Sequence, residues 1–399
     1  MAEAWAREAD RRCAPGRQSS DLHRRMSCVA PLTRSLLTAV GIFFCFSLAL
    51  SAQTAGSDNS WTATSESQSD NANPTRTTAS HTQSGNRTVD KQSIERRDPD
   101  GQFEAYQDIE KETVQVDATT VRTTTRSFGR NADGVKTLVQ VTEEERHALS
   151  GGDSNVVRTT SNPDADGKLQ VVQRQIEETK KIDKDVEETK TTVMLSGVEG
   201  RLAPVMKTQE RRQRDANDTV ESHKTTLLPD GDGKWQVAEI RDTTTKKEGS
   251  DRSIEERVSR PDSEGRLGEI SRTVSKESGS ASAKRNTKET YSVDVPGSAE
   301  DGGLHLVERA TTAQRTSPTG QQTTEKQVEQ PDPGDPDSGP RVTTVTTDTV
   351  RPGPSGAQAT TTIQMRDANG NFGVVSVDTT KSDNLHAIQV EIAPSEKPK

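Results

Sequence analysis

Residues 164–200 read DADGKLQVVQRQIEETKKIDKDVEETKTTVMLSGVEG, and this stretch holds one full period of the chain. It opens on the turn Asp164-Ala165-Asp166-Gly167 and reaches the matching Gly200 33 residues later. Asp-Gly supplies the positive φ that tight hairpin turns require. Outside this period, Thr, Val and Ile dominate the segments between turns, as in VRTTTRSF, RVTTVTTDTV and ATTTIQM. β-Branched side chains favour a pleated surface over a helix.

The same turn recurs on either side. Gly101, Gly134, Gly167, Gly200 and Gly233 are spaced by 33 residues, Gly265 follows at 32, and looser copies lie at Gly302, Gly339 and Gly370. Two positions beyond the glycine stands a large apolar residue: Phe103, Leu169, Leu202, Trp235, Leu267, Leu304 and Phe372. Another apolar position comes five beyond, at Tyr106, Val172, Val205, Ile270, Val307 and Val375. Half a period away lies a second polar turn, such as Ser150-Gly151-Gly152-Asp153 or Lys247-Glu248-Gly249-Ser250. Each period therefore reads strand, Asp-Gly turn, strand, second turn. The fold class expected is all-β: an elongated antiparallel meander of about nine ~33-residue polar β-hairpin repeats over residues 93–390, some eighteen strands. The step from the second to the fifth position after the glycine predicts a bulge in every second strand. Helical hairpins compete locally, in KQSIERR and QRQIEETKKIDKDVEETK, but the Thr runs and a turn every half period oppose them.

Composition limits how such a sheet can stand. Hydrophobic residues make up 28% and aromatics 3% of the 399 residues, well short of what a large single core needs. On Lys168–Thr179 neither face is apolar along its length, which argues against the continuous lipid-facing band of an outer-membrane barrel. A water-exposed sheet is expected instead, with an apolar spine near the Asp-Gly turns and cross-strand Thr and charge pairs elsewhere.

Residues 1–52 read as a leader. Leu36–Leu50 is apolar, follows Arg34 and precedes Ser51-Ala52, the three parts of a secretory signal peptide. A start at Met26 would give a signal peptide over 26–52 of ordinary length. Cys13, Cys28 and Cys45 all fall within the leader, so no disulfide framework is expected after its removal. The remaining chain carries a net charge near −12, a poor match for nucleic acid or anionic membranes. Residues 53–92, rich in Ser, Thr and Asn, read as a disordered linker, and residues 391–399 as a flexible tail.

The turns Asp98-Pro99-Asp100-Gly101, Asp164-Ala165-Asp166-Gly167 and Asp230-Gly231-Asp232-Gly233 invite a Ca²⁺ reading at Asp98, Asp100, Asp164, Asp166, Asp230 and Asp232. A Ca²⁺ loop needs a distal bidentate Glu as well, and none recurs at the right spacing, so plain hairpin turns are favoured. The histidines beyond the leader are scattered, and no nucleophile elbow or phosphate-binding loop occurs. No enzyme, catalytic residue, metal or cofactor is expected. The function expected is an exported, non-catalytic structural or interaction protein, in the periplasm, at the cell surface or secreted. Its partner would be a protein or a surface met through exposed strands, not nucleic acid, with no membrane span after leader removal. The alternatives are a ligand-binding module for carbohydrate or Ca²⁺ and, behind it, a divergent secreted enzyme.

Overall fold

The computed structural model describes residues 60–69, 72–131, 133–197, 199–280, 282–293, 303–332, 334–354, 356–367 and 369–383. The leader, the expected tail and residues 384–390 of the expected repeat region lie outside them. The described chain is built of strands and one 3-10 turn at Ser150–Gly152. The first five strands are β1 (Ser60–Ser69), β2 (Thr75–Ser84), β3 (Arg87–Arg97), β4 (Phe103–Gln115) and β5 (Thr120–Arg130). Next come β6 (Lys136–Ala148), β7 (Ser154–Pro163), β8 (Leu169–Lys181), β9 (Val186–Ser196) and β10 (Leu202–Arg214). The third group is β11 (Val220–Pro229), β12 (Trp235–Glu248), β13 (Asp251–Pro261), β14 (Leu267–Ser280) and β15 (Ala283–Ser292). Last are β16 (His305–Thr316), β17 (Gln322–Asp332), β18 (Asp335–Gly353), β19 (Gly356–Arg366) and β20 (Phe372–Ser382).

Each strand pairs antiparallel with the next, so the meander of hairpins is as the sequence implies. The expectation of an open, elongated array is overturned at its ends, because β1 also pairs with β20, Ser65 facing Ser382 and Ser69 facing Asp378. The twenty strands thus close into one antiparallel barrel. Closure removes the two unpaired edges that an open meander would expose. The seam is short, with five residue pairs, and is extended by the Thr64 amide donating to the Asp383 carboxylate at 2.7 Å. At the neighbouring hairpin Gly356 (φ 135°) lets the Ser382 carbonyl approach where a Cβ would stand.

The disordered linker expected over 53–92 is corrected in the same region: residues 60–69 and 75–84 form β1 and β2, and 87–92 open β3. These two additional strands raise the count from the expected eighteen to twenty. Ala63, Ser65 and His81 are buried there, and pairing with β3 and β20 satisfies every second backbone amide and carbonyl, which composition alone does not disclose. The helical alternative fails too, since KQSIERR lies in β3 and QRQIEETKK in β8.

The predicted bulge is present in every full period. Register slips by one residue at Tyr106, Val139, Val172, Val205, Ala238, Ile270, Val307, Thr343 and Val375, each left unpaired by the preceding strand. An extra residue bends its strand and strengthens its twist. Nine such bends near one rim help to curl a sheet this wide into a ring.

Because side chains alternate, the pairing register sorts them into two faces of one wall. Trp61, Ala63, Ser65 and His81 share one face, and Phe103, Phe128, Leu138 and Trp235 share the other. Twelve of the fifteen buried residues lie on the Ala63 face, most of them Ala, Ser and Thr, with Val350, Ala357 and Ala359 forming the one small apolar cluster. The narrow spine expected near the Asp-Gly turns takes a different form. Apolar residues do gather there, including Leu169, Val237, Leu267, Phe372 and Val374 on the Phe103 face, but these remain exposed. Leu195, Leu228 and Met365, also exposed, sit on the opposite face. The apolar side chains form a loose belt near one rim, divided between two faces, rather than a stacked core.

Candidate functional site

The Asp-Gly turns form one rim of the barrel. In each, the first residue's amide donates to a carbonyl four positions on, and the glycine amide donates back to that first residue, as in Asp164–Lys168 (2.8 Å) and Gly167–Asp164 (3.0 Å). Gly167 has φ 77° and Gly233 φ 79°, the left-handed geometry that favours glycine, although Asp218 takes it (φ 61°) in the similar turn after β10. The Asp164 carboxylate accepts the Asp166 and Lys168 amides at 3.0 and 2.9 Å, and Asp230 accepts those of Asp232 and Lys234 at 2.9 and 2.8 Å. Asp98 accepts the Gln102 amide at 2.7 Å. Asn131, Asp262 and Asp367 do the same in their own turns, and Asp215 does so in a glycine-free turn at the opposite rim. The Gln170 side chain and the Lys168 amide hold the Asp164 carboxyl below the usual carboxylate range, and the Arg266 amide does so for Asp262.

Of the Ca²⁺ candidates, then, Asp98, Asp164 and Asp230 spend carboxylate oxygen on their own backbone. Asp100, Asp166 and Asp232 project at exposed turn tips, each on a different hairpin from the others. The chain brings no two of these pairs together. Replacing Asp164 by Ala should speed hydrogen exchange at the Asp166 and Lys168 amides by about tenfold, a loss of about 1 kcal/mol local to that turn. Unchanged exchange would show that the carboxylate does not hold the turn.

Away from the rim the wall is a set of cross-strand ion pairs. On the Phe103 face Arg87 pairs with Glu112, Arg122 with Glu145, Arg211 with Glu188, and Arg309 with both Glu289 and Glu329. Asp108 there is enclosed with Arg130 at 2.8 Å and Lys136 at 3.5 Å. Burial pushes its carboxyl up, but hydrogen bonds from Ser93 and Arg130 outweigh this and hold it low. On the Ala63 face Glu144 pairs with Arg158, Glu187 with Arg212, Glu210 with Lys224 and Glu256 with Arg241. Charged groups also cap the aromatics: Arg76 and Arg97 lie over Phe103 at 4.1 and 5.4 Å, Lys136 over Phe128 at 4.0 Å and Lys207 over Trp235 at 4.3 Å.

Three histidines, scattered in sequence, each meet a carboxylate: His81 with Asp90 at 2.7 Å, His147 with Glu145 at 2.7 Å and His223 with Asp242 at 2.6 Å. His81 is the enclosed one, stacked on Trp61 with ring centroids 5.8 Å apart. His223 lines an open depression of about 270 Å³ with Arg211, Asp242 and Thr244. Sequence reading missed these pairs: His81–Asp90 and His223–Asp242 meet by mirror symmetry about one or more turns, and His147–Glu145 by the two-residue repeat within β6. Lys180-Lys181 opposing Glu188-Glu187 across the turn at residues 182–185 is one pattern that reveals the mirror symmetry.

The fold so defined is a closed up-and-down β-barrel. No family model and no curated protein matches the chain. Solved structures that resemble it include the siderophore receptor PirA from Pseudomonas aeruginosa, at 10% identity and a TM-score of 0.35, over 82% of this chain and 81% of that one. A porin-like protein from Bacteroides uniformis ATCC 8492 gives 11% identity and a TM-score of 0.17, over 69% and 95% of the two chains. The β domain of the Bordetella autotransporter BrkA gives 6% and 0.12, over 82% and 99%.

Proposed function

We propose that this chain is an exported, non-catalytic scaffold: a closed barrel wetted on both faces, which presents charged strands and turn rims to a partner. The observation that carries the reading is the register of charge. Cross-strand ion pairs run along both faces of the wall: Arg87–Glu112, Arg122–Glu145 and Arg309–Glu289 on the Phe103 face, and Arg158–Glu144, Arg212–Glu187 and Arg241–Glu256 on the Ala63 face. A lipid-embedded barrel turns one face to hydrocarbon, where each Arg or Lys at the midplane costs about 2–4 kcal/mol. Neither face here offers an uninterrupted apolar band. Export rests on the leader read in residues 26–52, and a role without chemistry on carboxylates and histidines that neutralise one another rather than converge on a reactive atom. A ligand-binding role belongs to the same reading, since a hydrated wall binds through its surface.

The test is partition. The mature chain, expressed with its leader and recovered from the cell envelope and medium, is expected to remain in the supernatant after ultracentrifugation without detergent. It should also fail to float with zwitterionic lipid vesicles. Flotation with those vesicles in a protease-protected form would overturn the reading in favour of a membrane-inserted barrel.

A further inference from the structure

The rim opposite the Asp-Gly turns carries one sector where the charge ladder breaks. Across β12 to β16, Lys246, Lys247, Arg252, Lys276, Lys284, Arg285, Lys288 and Arg315 are all exposed. Lys284 reaches Glu277 at 3.9 Å, and the other seven make no ion pair among the described residues. Glu248, Asp251 and Glu277 are the carboxylates in the outer part of the sector, and Glu255, Glu289 and Glu256 lie one or two residues further in, in a chain whose net charge is −9.

The pairing is unfavourable as it stands. Lys247 lies directly opposite Arg252, and Glu248 opposite Asp251; Glu277, which faces Arg252 from β14, is the one opposite charge in register with this pair. Like charges in directly opposed positions destabilise a sheet. The equivalent hairpin two periods earlier shows the alternative, since there Lys180 opposes Glu188 and Lys181 opposes Glu187. The repeat can neutralise a Lys-Lys pair at this rim, and in β12–β13 it does not. A cluster retained against its own repulsion fits a site whose neutralising charge comes from outside the chain.

The layout selects the kind of anion. Lys247, Arg252, Lys284 and Lys288 lie on the Ala63 face, and Lys246, Lys276, Arg285 and Arg315 on the Phe103 face. Lys288 stands five residues in from the start of β15, about 17 Å down the strand. A flat membrane surface could reach the tips of these hairpins but not cations on both faces to that depth. A flexible linear polyanion can drape over the rim and meet both. Single-stranded nucleic acid would want aromatic side chains to stack its bases, and the cluster has none. We infer that this rim sector of β12 to β16 binds an acidic polysaccharide, its carboxylate or sulfate groups pairing with the exposed cations on both faces of the wall. The inference rests on the proposed reading of the barrel as exported and water-exposed, and gives that scaffold a ligand class.

The experiment measures retention of the folded mature chain on immobilised heparin, a sulfated polysaccharide, and alginate, a carboxylated one, at about 0.15 M salt. Binding to at least one is expected, falling steeply with added salt. The combined variant Lys247→Gln, Arg252→Gln, Lys284→Gln, Lys288→Gln should lose about tenfold or more in affinity. It should retain its far-ultraviolet circular dichroism, because it removes a repulsion. The counterpart Lys180→Gln, Lys181→Gln should bind as the parent does. No retention of the parent, equal retention of the two variants, or preferential binding to anionic vesicles or single-stranded DNA would overturn the assignment. A soluble, closed chain that ignores both polysaccharides sinks this inference alone, whereas vesicle insertion sinks the scaffold reading beneath it.

Discussion

A chain carrying Ser67→Cys and Thr380→Cys is expected to cross-link to itself almost completely on mild oxidation, and to run on a non-reducing gel as a compact, looped monomer. The two positions are directly opposed in the seam between β1 and β20, with their hydroxyl oxygens 3.1 Å apart. Opposed strand positions place Cβ atoms about 4.5–5.5 Å apart, which small shifts bring into disulfide range. The residues are separated by 313 positions in sequence, so an open meander of twenty strands would hold them far apart and cross-link them rarely if at all. The three natural cysteines all fall in residues 1–52, so on the proposed reading, in which the leader is removed, no other thiol competes. Closing so long a loop should also stabilise the fold by about 5 kcal/mol in the chain-entropy account, read as a higher melting temperature that reductant abolishes. Cross-linked dimers in place of looped monomers would mean that β1 and β20 pair between molecules. No cross-link at all would mean that the array is open.

The extent to which the sequence discloses this fold follows from which interactions are local. The hairpins could be read because Asp-Gly turns are local chemistry, with Gly167 and Gly233 needing positive φ whatever lies around them. The bulges could be read because an extra residue shifts an apolar position by one, and Tyr106, Val172 and Ile270 all show it. Closure could not be read, because it depends on five residue pairs between the ends of the chain, made of Ser, Thr, Gln, Glu, Lys and Asp with no apolar signature. For the same reason β1 and β2 resemble a linker in composition and are strands in fact: backbone pairing fixes them, and the side chains they bury, Ala63, Ser65 and His81, are small or polar. The surface followed a similar division. The Asp-rich turns were visible, but the role of their carboxylates as acceptors for backbone amides requires coordinates. The His81–Asp90 and His223–Asp242 pairs and the rim cations depend on register across turns. That information is present in the sequence, yet it appears only when each strand is laid against its reversed neighbour.

Acidification should destabilise this barrel steeply below about pH 4.5, because its wall depends on carboxylates held ionised. The carboxyls of Asp108, Glu145, Asp164, Glu239, Asp262, Glu269 and Glu289 all lie below their ordinary values, and Asp117 is lowered to about 2. The causes differ. At Asp117 the Thr119 amide and hydroxyl donate to the carboxylate, and at Glu145 the Arg122 guanidinium and His147 do so. At Glu239 burial opposes ionisation, but Arg260 and Arg241 prevail. A group whose folded pKa is depressed leaves the folded state with fewer protons than the unfolded one, so stability rises with pH across the interval. Its contribution is complete above the unfolded carboxylate values near 4 and is lost as pH falls through the folded values, toward about 2 for Asp117. The exposed members count for little, being screened by water and salt, and the enclosed Asp108 and Glu239 should dominate. Protonation also leaves the Arg and Lys of both faces without counter-charges, on a wall too thin to hide them. Melting temperature should therefore be nearly flat from pH 5 to 8 and fall by about 10 °C or more by pH 2.5 at low salt. The variant Asp108→Asn, Glu239→Gln should melt lower at pH 7 and show a shallower acid slope, since two of the groups that generate the slope are gone. A melting temperature that holds or rises on acidification would show that the ion-pair ladders do not support the wall, and that hydrogen-bonded strand pairing alone carries it.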